Sequence, residues 1–309
     1  MTSKANIAII DMGTNTFHLL IAEMSSKPKI LVREREAVKV GKGGINKKVI
    51  TDEGFARAIT TLEKFKAIID QHGVRKTLAF GTSAIRNASN GNDLIEAIRT
   101  KTGIEARIID GEEEADLIYR GVRSGLDLGK ENSLIVDVGG GSVEFIFGNH
   151  DGVQWKKSFD IGGQRLLEQF QEHDPIGQSE VAALKDFLKR ELESLTEPWK
   201  KYNPSTLVGV SGTFDTLSEM FCARKGLPYY PDDPETPFDI EAFPGIYKDL
   251  LANDRAGRLA LPGMIEMRVD MIVVACVLVD YILATHQFKN IRVSSYSLKE
   301  GVLASLLPS

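Results

Sequence analysis

Apolar positions run through 7–10, break at Asp11-Met12-Gly13-Thr14-Asn15-Thr16, and resume over 17–20. The same series recurs at 135–136, Asp137-Val138-Gly139-Gly140-Gly141-Ser142 and 143–146, so Asp137 answers to Asp11 at an offset of 126 (137 − 11). Each copy predicts a strand, a D-x-G turn and a second strand. Asp151-Gly152, a two-residue hairpin signal, carries the second copy into a third strand over 153–159. The first copy breaks at Ser25-Ser26-Lys27-Pro28 before a third strand over 30–33. A repeat at so long a period predicts two related lobes, not a solenoid, whose units run about 20–50 residues. Each lobe should open with three sequential, mostly antiparallel strands.

Helical periodicity follows in alternation with short strands. Thr51 suits an N-cap, and Phe55, Ile59, Leu62, Phe65 and Ile69 mark one helical face that stops at Gly73. A strand over 77–80, a helix over 92–100 ended by Gly103, a strand over 106–109 and a helix over 112–122 complete the first lobe. The second is expected to hold a helix over 180–195, a strand over 206–210, helices over 213–225 and 264–284, a strand over 291–293 and a last helix over 297–306. The pattern predicts an α/β fold of two lobes, 1–124 and 125–309, with a ligand cleft between them and the final helix of 297–309 placed to pack back onto the first. The stretch 228–237, with four prolines, reads as a surface connection.

Composition excludes several classes. The 309 residues are 42% hydrophobic and 26% charged, and 38 basic against 43 acidic side chains leave a formal charge of -5, with no global field for nucleic acid or an anionic membrane. The longest apolar run, 271–279, is nine residues, against about 18 for a bilayer span. The N-terminus offers Lys4 and four apolar residues before Asp11, too few for a secretory signal, so a cytoplasmic location is expected. Cys222 and Cys276 are far apart and the five histidines lack ligand spacing, which argues against a disulfide framework and a zinc site.

The two D-x-G turns are where phosphate chemistry would sit. Glycine lets the backbone approach an anion, successive N–H groups form a concavity, and Thr14, Thr16 or Ser142 adds a hydroxyl donor. Asp11 and Asp137 suit a hydrated Mg²⁺, which takes one or two carboxylates plus substrate oxygens. Gly41-Lys42-Gly43-Gly44 has the composition of a P-loop without its spacing. Among Glu112-Glu113-Glu114, only Glu114 shares a face with Leu117, Ile118, Gly121 and Val122. It reads either as a desolvated general base or as a buried, hydrogen-bonded acid. Arg86, in Thr82-Ser83-Ala84-Ile85-Arg86, is either a phosphate contact or a surface arginine. Ser211-Gly212-Thr213 opens a helix in the second lobe, where an anion could be received. Lys39, Lys42, Lys47 and Lys48 lie in a glycine-rich loop that either steers a polyanion or is merely solvated.

Asp11-Met12-Gly13-Thr14-Asn15-Thr16, Gly81-Thr82-Ser83-Ala84-Ile85-Arg86, Gly111-Glu112-Glu113-Glu114-Ala115, Asp137-Val138-Gly139-Gly140-Gly141-Ser142-Val143-Glu144 and Gly209-Val210-Ser211-Gly212-Thr213 occur in this order. Together they resemble the exopolyphosphatase / guanosine pentaphosphate phosphohydrolase (Ppx/GppA) family of the actin-like, ribonuclease H-like superfold, over nearly the whole chain. The resemblance implies a Mg²⁺-dependent hydrolase of terminal phosphoanhydrides, acting on polyphosphate or guanosine pentaphosphate. It implies Glu114 as general base, and Asp137 and Glu144 as the residues organising Mg²⁺ and the attacking water. Asp11, Gly13, Thr14, Asn15, Gly139, Gly140, Gly141, Ser142, Ser211, Gly212 and Thr213 would cradle phosphates, and Arg86 and Arg268 would contact them. Arg258 and the stretch 262–270 look like the family's basic lip. Thr14 stands where serine is commoner and Val143 where threonine is common. The chain looks like the short, two-domain form, and a homodimer is expected. A small-molecule kinase and a non-catalytic, filament-forming ATP-binding protein of the same superfold remain open alternatives, while the absence of a cysteine cluster argues against a redox-linked ATPase.

Overall fold

Both copies of the repeat fold as expected. In a computed structural model that describes residues 5–307, β1 (Asn6–Met12), β2 (Phe17–Glu23) and β3 (Lys29–Glu36) form an antiparallel meander. The chain then runs through α1 (Asp52–Gln71), β4 (Lys76–Gly81), α2 (Ser83–Asn87), α3 (Gly91–Thr102), β5 (Ala106–Ile108) and α4 (Gly111–Gly125). β4 and β5 add in parallel, giving the order β3-β2-β1-β4-β5. Thr51 caps α1 by accepting from the Gly54 N–H at 3.2 Å. Leu62, Phe65 and Ile69 are buried as predicted, whereas Phe55 and Ile59 sit at the edge of the core.

The second meander is β6 (Ser133–Val138), β7 (Val143–Asn149) and β8 (Gly152–Phe159). It continues through α5 (Gly163–Phe170), α6 (Gln178–Glu191), α7 (Thr196–Tyr202), β9 (Thr206–Val210), α8 (Ser211–Lys225), β10 (Glu235–Thr236), α9 (Phe243–Ala252), α10 (Arg255–Leu259), α11 (Ile272–Thr285), β11 (Asn290–Ser294) and α12 (Leu298–Ser305). Its sheet runs β10-β11-β9-β6-β7-β8, with β9 parallel to β6 and β11 parallel to β9. Two lobes, each with a three-strand meander extended by parallel crossovers, are the duplicated α/β class that the repeat predicts.

The chain divides into two compact units, one running to Glu114 and resumed from Val302, the other Ala115–Gly301. The division falls inside α4, ten residues before the 124/125 boundary read from the sequence. A helix crossing from one unit to the other leaves no break in composition to mark the change. Residues before Ala5, the start of the segment too short for a secretory signal, and residues 308 and 309 of the expected final segment lie outside the described residues. No helix among the described residues is long and apolar enough to cross a membrane.

Three expectations differ locally. The helix expected over 264–284 begins at Ile272, because 265–271 winds as successive i→i+3 turns, with Arg268 N–H on Ile265 O, Val269 on Glu266 O and Met271 on Arg268 O. Residues 228–237 are not only a connection: Glu235 and Thr236 pair antiparallel with β11 as an edge strand, and Thr236 is buried. Arg258 does not form a basic lip. It is 2% exposed, with Nη1 on Asp174 Oδ1 (2.6 Å) and on the Asn253 carbonyl (2.7 Å) and Nε on the Val269 carbonyl (3.1 Å), a buried clamp inside the second unit.

Candidate active site

The first unit builds its turn from Gly13, whose N–H donates to Thr16 O at 3.2 Å. A methyl group there would lie 2.9 Å from that oxygen, so only glycine fits. The second unit repeats the detail: a methyl on Gly139 would lie 3.0 Å from Ser142 O. Thr14, Asn15 and Ser142 are buried around these turns.

The segment after each third strand seals the back of its turn. Lys39 N–H donates to Asn15 O at 2.9 Å and Gly41 N–H to Thr14 O at 3.0 Å. In the second unit, Gly162 N–H donates to Gly141 O at 3.3 Å and Gln164 N–H to Gly140 O at 2.8 Å, the acceptors Gly141 and Gly140 being the repeat-mates of Asn15 and Thr14 at the 126-residue offset. Gly163 N–H on Gly139 O (2.9 Å) and Arg165 Nε on Gly141 O (2.8 Å) complete the second seal. With these carbonyls already accepting hydrogen bonds, the turns are left with amide dipoles to offer an anion. This gives the glycine-rich loop a role that the sequence reading missed. Lys39 and Gly41 support the turn through backbone, and Arg57 holds the loop through the Val38 (2.7 Å) and Lys39 (2.9 Å) carbonyls. Lys42, Lys47 and Lys48 project outward, exposed.

A second echo of the repeat lies at the ends of the parallel strands. Thr82 Oγ1 donates to Met12 O at 3.5 Å, and Thr213 Oγ1 to Val138 O at 3.4 Å, Val138 being the repeat-mate of Met12. Each hydroxyl ties the start of a crossover helix to the strand that enters the D-x-G turn.

Glu114 and Arg86 meet within the first unit. The carboxylate is 7% exposed, on the buried face that the helical phase predicts, and Arg86 Nη1 donates to Glu114 Oε2 at 2.8 Å and to the Ile109 carbonyl at 3.0 Å. A buried, hydrogen-bonded acid is one of the two readings open for Glu114 in the sequence, and the structure supplies Arg86 as its partner. Glu113 turns outward to an ion pair with Arg107, whose hydrogen bond and charge hold the Glu113 carboxyl below the usual range.

The second unit carries the acid pair. Asp137 and Glu144 face each other directly across the β6/β7 register, and Glu144 in turn faces Ser158. Opposed residues on one sheet face have Cβ atoms about 4.5–5.5 Å apart. Both acids are buried, Asp137 at 6% and Glu144 at 2% exposure. Ser158 Oγ donates to Glu144 Oε1 at 2.7 Å, and Ser211 and Ser297 Oγ donate to Asp137 Oδ2 at 2.8 and 2.9 Å. Burial pushes the Asp137 carboxyl up, opposed by the two hydroxyls and by the charges of Lys299 and Arg268. In the first unit, Asp11 faces His18 instead, so paired carboxylates occur at only one of the two turns. Two opposed buried carboxylates fit a small hard cation that completes its shell with water and substrate oxygens. Among the described residues no cluster of three or more His, Cys, Asp and Glu side chains forms a closed protein cage.

Arg268 lies over the first turn of α8. A methyl group on Gly212 would come within 2.2 Å of its Cζ, Nε and Nη2 atoms. A guanidinium and a helix N-terminus are both electropositive, so their juxtaposition favours an anion between them.

Residues 20–309 match the model of the Ppx/GppA phosphatase family. Exopolyphosphatase 1 of Mycobacterium bovis is 26% identical over 318 residues, covering 98% of this chain and 88% of that protein. The bifunctional 3-dehydroquinate synthase/phosphatase of Fusobacterium nucleatum is 35% identical over 221 residues, 68% of this chain and 33% of that longer protein. The crystal structure of an exopolyphosphatase from Cytophaga hutchinsonii ATCC 33406 superposes with a TM-score of 0.95 at 44% identity, covering 98% of this chain and 97% of that one.

Proposed function

We propose that this chain, which belongs to the Ppx/GppA phosphatase family, hydrolyses the terminal phosphoanhydride of inorganic polyphosphate or of guanosine pentaphosphate. The observation that carries the reading is the pair of D-x-G turns, each sealed at its carbonyls from behind, one of them flanked by the opposed carboxylates Asp137 and Glu144. Such turns hold phosphate oxygens through backbone amides, already oriented before the reaction begins. Arg268 and the N-terminus of α8 bind the same charge.

The reaction we assign is in-line attack by water on the terminal phosphorus. Glu114 takes the proton of that water, the new P–O bond forms as the anhydride P–O bond breaks, and orthophosphate separates from the shortened chain. Arg86 holds the Glu114 carboxylate in one orientation. Asp137 and Glu144 would hold Mg²⁺, which when bound supplies positive charge for the phosphate oxygens. The relatives' names favour water over a small molecule as acceptor, against the kinase and the non-catalytic alternatives.

We place the enzyme in the cytoplasm as a homodimer without nucleic-acid or membrane partners. The formal charge of -5 supports the lack of a polyanion-binding field beyond the site itself. The deciding measurement is orthophosphate release from both substrates with one preparation, with Mg²⁺ and with chelator. Full-rate release in chelator would refute the metal role, and ATP-dependent phosphorylation of a sugar or carboxylic acid would refute the hydrolase. Sedimentation of the purified chain as a monomer would refute the dimer.

A further inference from the structure

Ser211 is held at φ +67, in the left-handed region, because β9 ends at Val210 and α8 begins at the next residue with nothing between. Glycine is the ordinary occupant of such a position, and any side chain carries a conformational cost there. The serine hydroxyl donates to Asp137 Oδ2 at 2.8 Å, a bond that glycine could not make.

Ser297 reaches the same oxygen at 2.9 Å from the entrance to α12. Its backbone is fixed independently. Its N–H donates to Glu300 Oε2 at 3.0 Å, and its carbonyl presses on α4 so closely that a methyl on Gly121 would lie 1.9 Å from it. Both hydroxyls therefore converge on Oδ2 from rigid backbone, while Oδ1 makes no hydrogen bond and no ion pair among the described residues. The donors are neutral, so they orient the carboxylate without cancelling its charge, as a cation ligand requires.

We infer that Ser211 and Ser297 form a two-hydroxyl clamp that fixes Asp137 through Oδ2 and presents Oδ1 to a divalent cation, Ser211 being kept in a strained backbone position for its hydroxyl. Both are positioning residues. The inference reassigns Ser211 from a phosphate contact to a support of Asp137, and it rests on the proposed role of Asp137 as a cation ligand.

The test separates backbone from hydroxyl. Ser211→Ala keeps the strain and loses the bond, whereas Ser211→Gly loses both. Mn²⁺ binding to the full chain, read by electron paramagnetic resonance without substrate, should weaken about ten- to a hundredfold in both variants. Urea unfolding in chelator should nevertheless show Ser211→Gly more resistant than Ser211→Ala. Ser297→Thr, which retains the hydroxyl, should bind Mn²⁺ as the parent does, and Ser297→Ala should lose affinity. Wild-type affinity in Ser211→Gly would overturn the clamp, because the residue would then serve only the turn. Asp137→Asn distinguishes the two levels. Unchanged Mn²⁺ affinity in it would overturn the metal assignment and the clamp together, whereas affinity lost in Asp137→Asn but intact in Ser211→Gly would overturn the clamp alone.

Discussion

Arg86 and Glu114 are joined at 2.8 Å with the arginine side chain 17% exposed and the glutamate side chain 9%, so the guanidinium neutralises a carboxylate that water barely reaches. Removing one partner of such a buried pair costs about 3–5 kcal/mol. Arg86→Ala should therefore lose stability and activity together, instead of only raising KM as a simple phosphate contact would. Combining it with Glu114→Gln should recover most of the stability and none of the activity. Urea unfolding of the two single variants and the double variant gives the coupling; additive losses would show that the pair is not an energetic unit.

Glu114→Gln alone keeps the shape and removes the base. It should lower kcat by roughly 10²–10⁴ while substrate binding survives. Glu113→Gln breaks only a half-exposed pair with Arg107 and should cost less than about 1 kcal/mol and leave kcat near the parent value. Steady-state kinetics of both variants decide the assignment: equal losses would place the base elsewhere.

These contrasts were legible in the sequence in unequal degree. The repeat could be read because Asp, Gly and a hydroxyl residue are demanded by side chain or by the space left for a Cβ at each turn, and helical phase alone separated Glu114 from Glu113. The sealing of the turns could not. Lys39, Gly41, Gly162 and Gln164 act through their N–H groups, which every residue but proline carries. The partners of Arg86 and Arg258 were hidden for a common reason. Sequence shows a charge but not its counter-charge, and Glu114 and Asp174 lie 28 and 84 positions away. The start of α11 was hidden because apolar residues continue through the i→i+3 turns that place Arg268.

Gly212 and Arg268 offer a cheap perturbation of the anion site. A methyl on Gly212 meets only the end of a flexible side chain, so Gly212→Ala should displace the guanidinium with little loss of stability. KM should rise as it does in Arg268→Ala, with a smaller fall in kcat. The double variant should be no worse than either single one. Independent, multiplying effects on KM would mean that Arg268 works elsewhere.

Asp137 makes stability and function oppose each other. Its carboxyl is raised in the folded protein, chiefly by burial, so the folded state holds its proton to higher pH than the unfolded chain does. The sign follows from linkage: this group favours folding most below its unfolded pKa, and that contribution is lost as pH rises through the folded value. Asp137→Asn, which still accepts from the serine hydroxyls, should thus unfold in chelator at a higher urea concentration than the parent at neutral pH. The advantage should shrink toward acid. Equal midpoints across the range would mean that Ser211, Ser297, Lys299 and Arg268 compensate the burial in full.

The seals behind the two turns make the last prediction, because their glycines press on different things. A methyl on Gly41 would lie 2.5 Å from Thr14 Cγ2, a side-chain atom that can rotate away, whereas one on Gly162 would lie 2.4 Å from Gly140 C and Gly141 N, which cannot move without moving the turn. Gly162→Ala should therefore cost about 1–3 kcal/mol as an overpacked contact and also disorganise the amides that receive phosphate. Gly41→Ala should cost less stability. Its effect should fall on kcat/KM through a displaced Thr14, so kinetics and unfolding together separate the two outcomes. If Gly162→Ala keeps parental kcat/KM at temperatures where it is folded, the glycine turn of the second unit is not what holds the transferring phosphate.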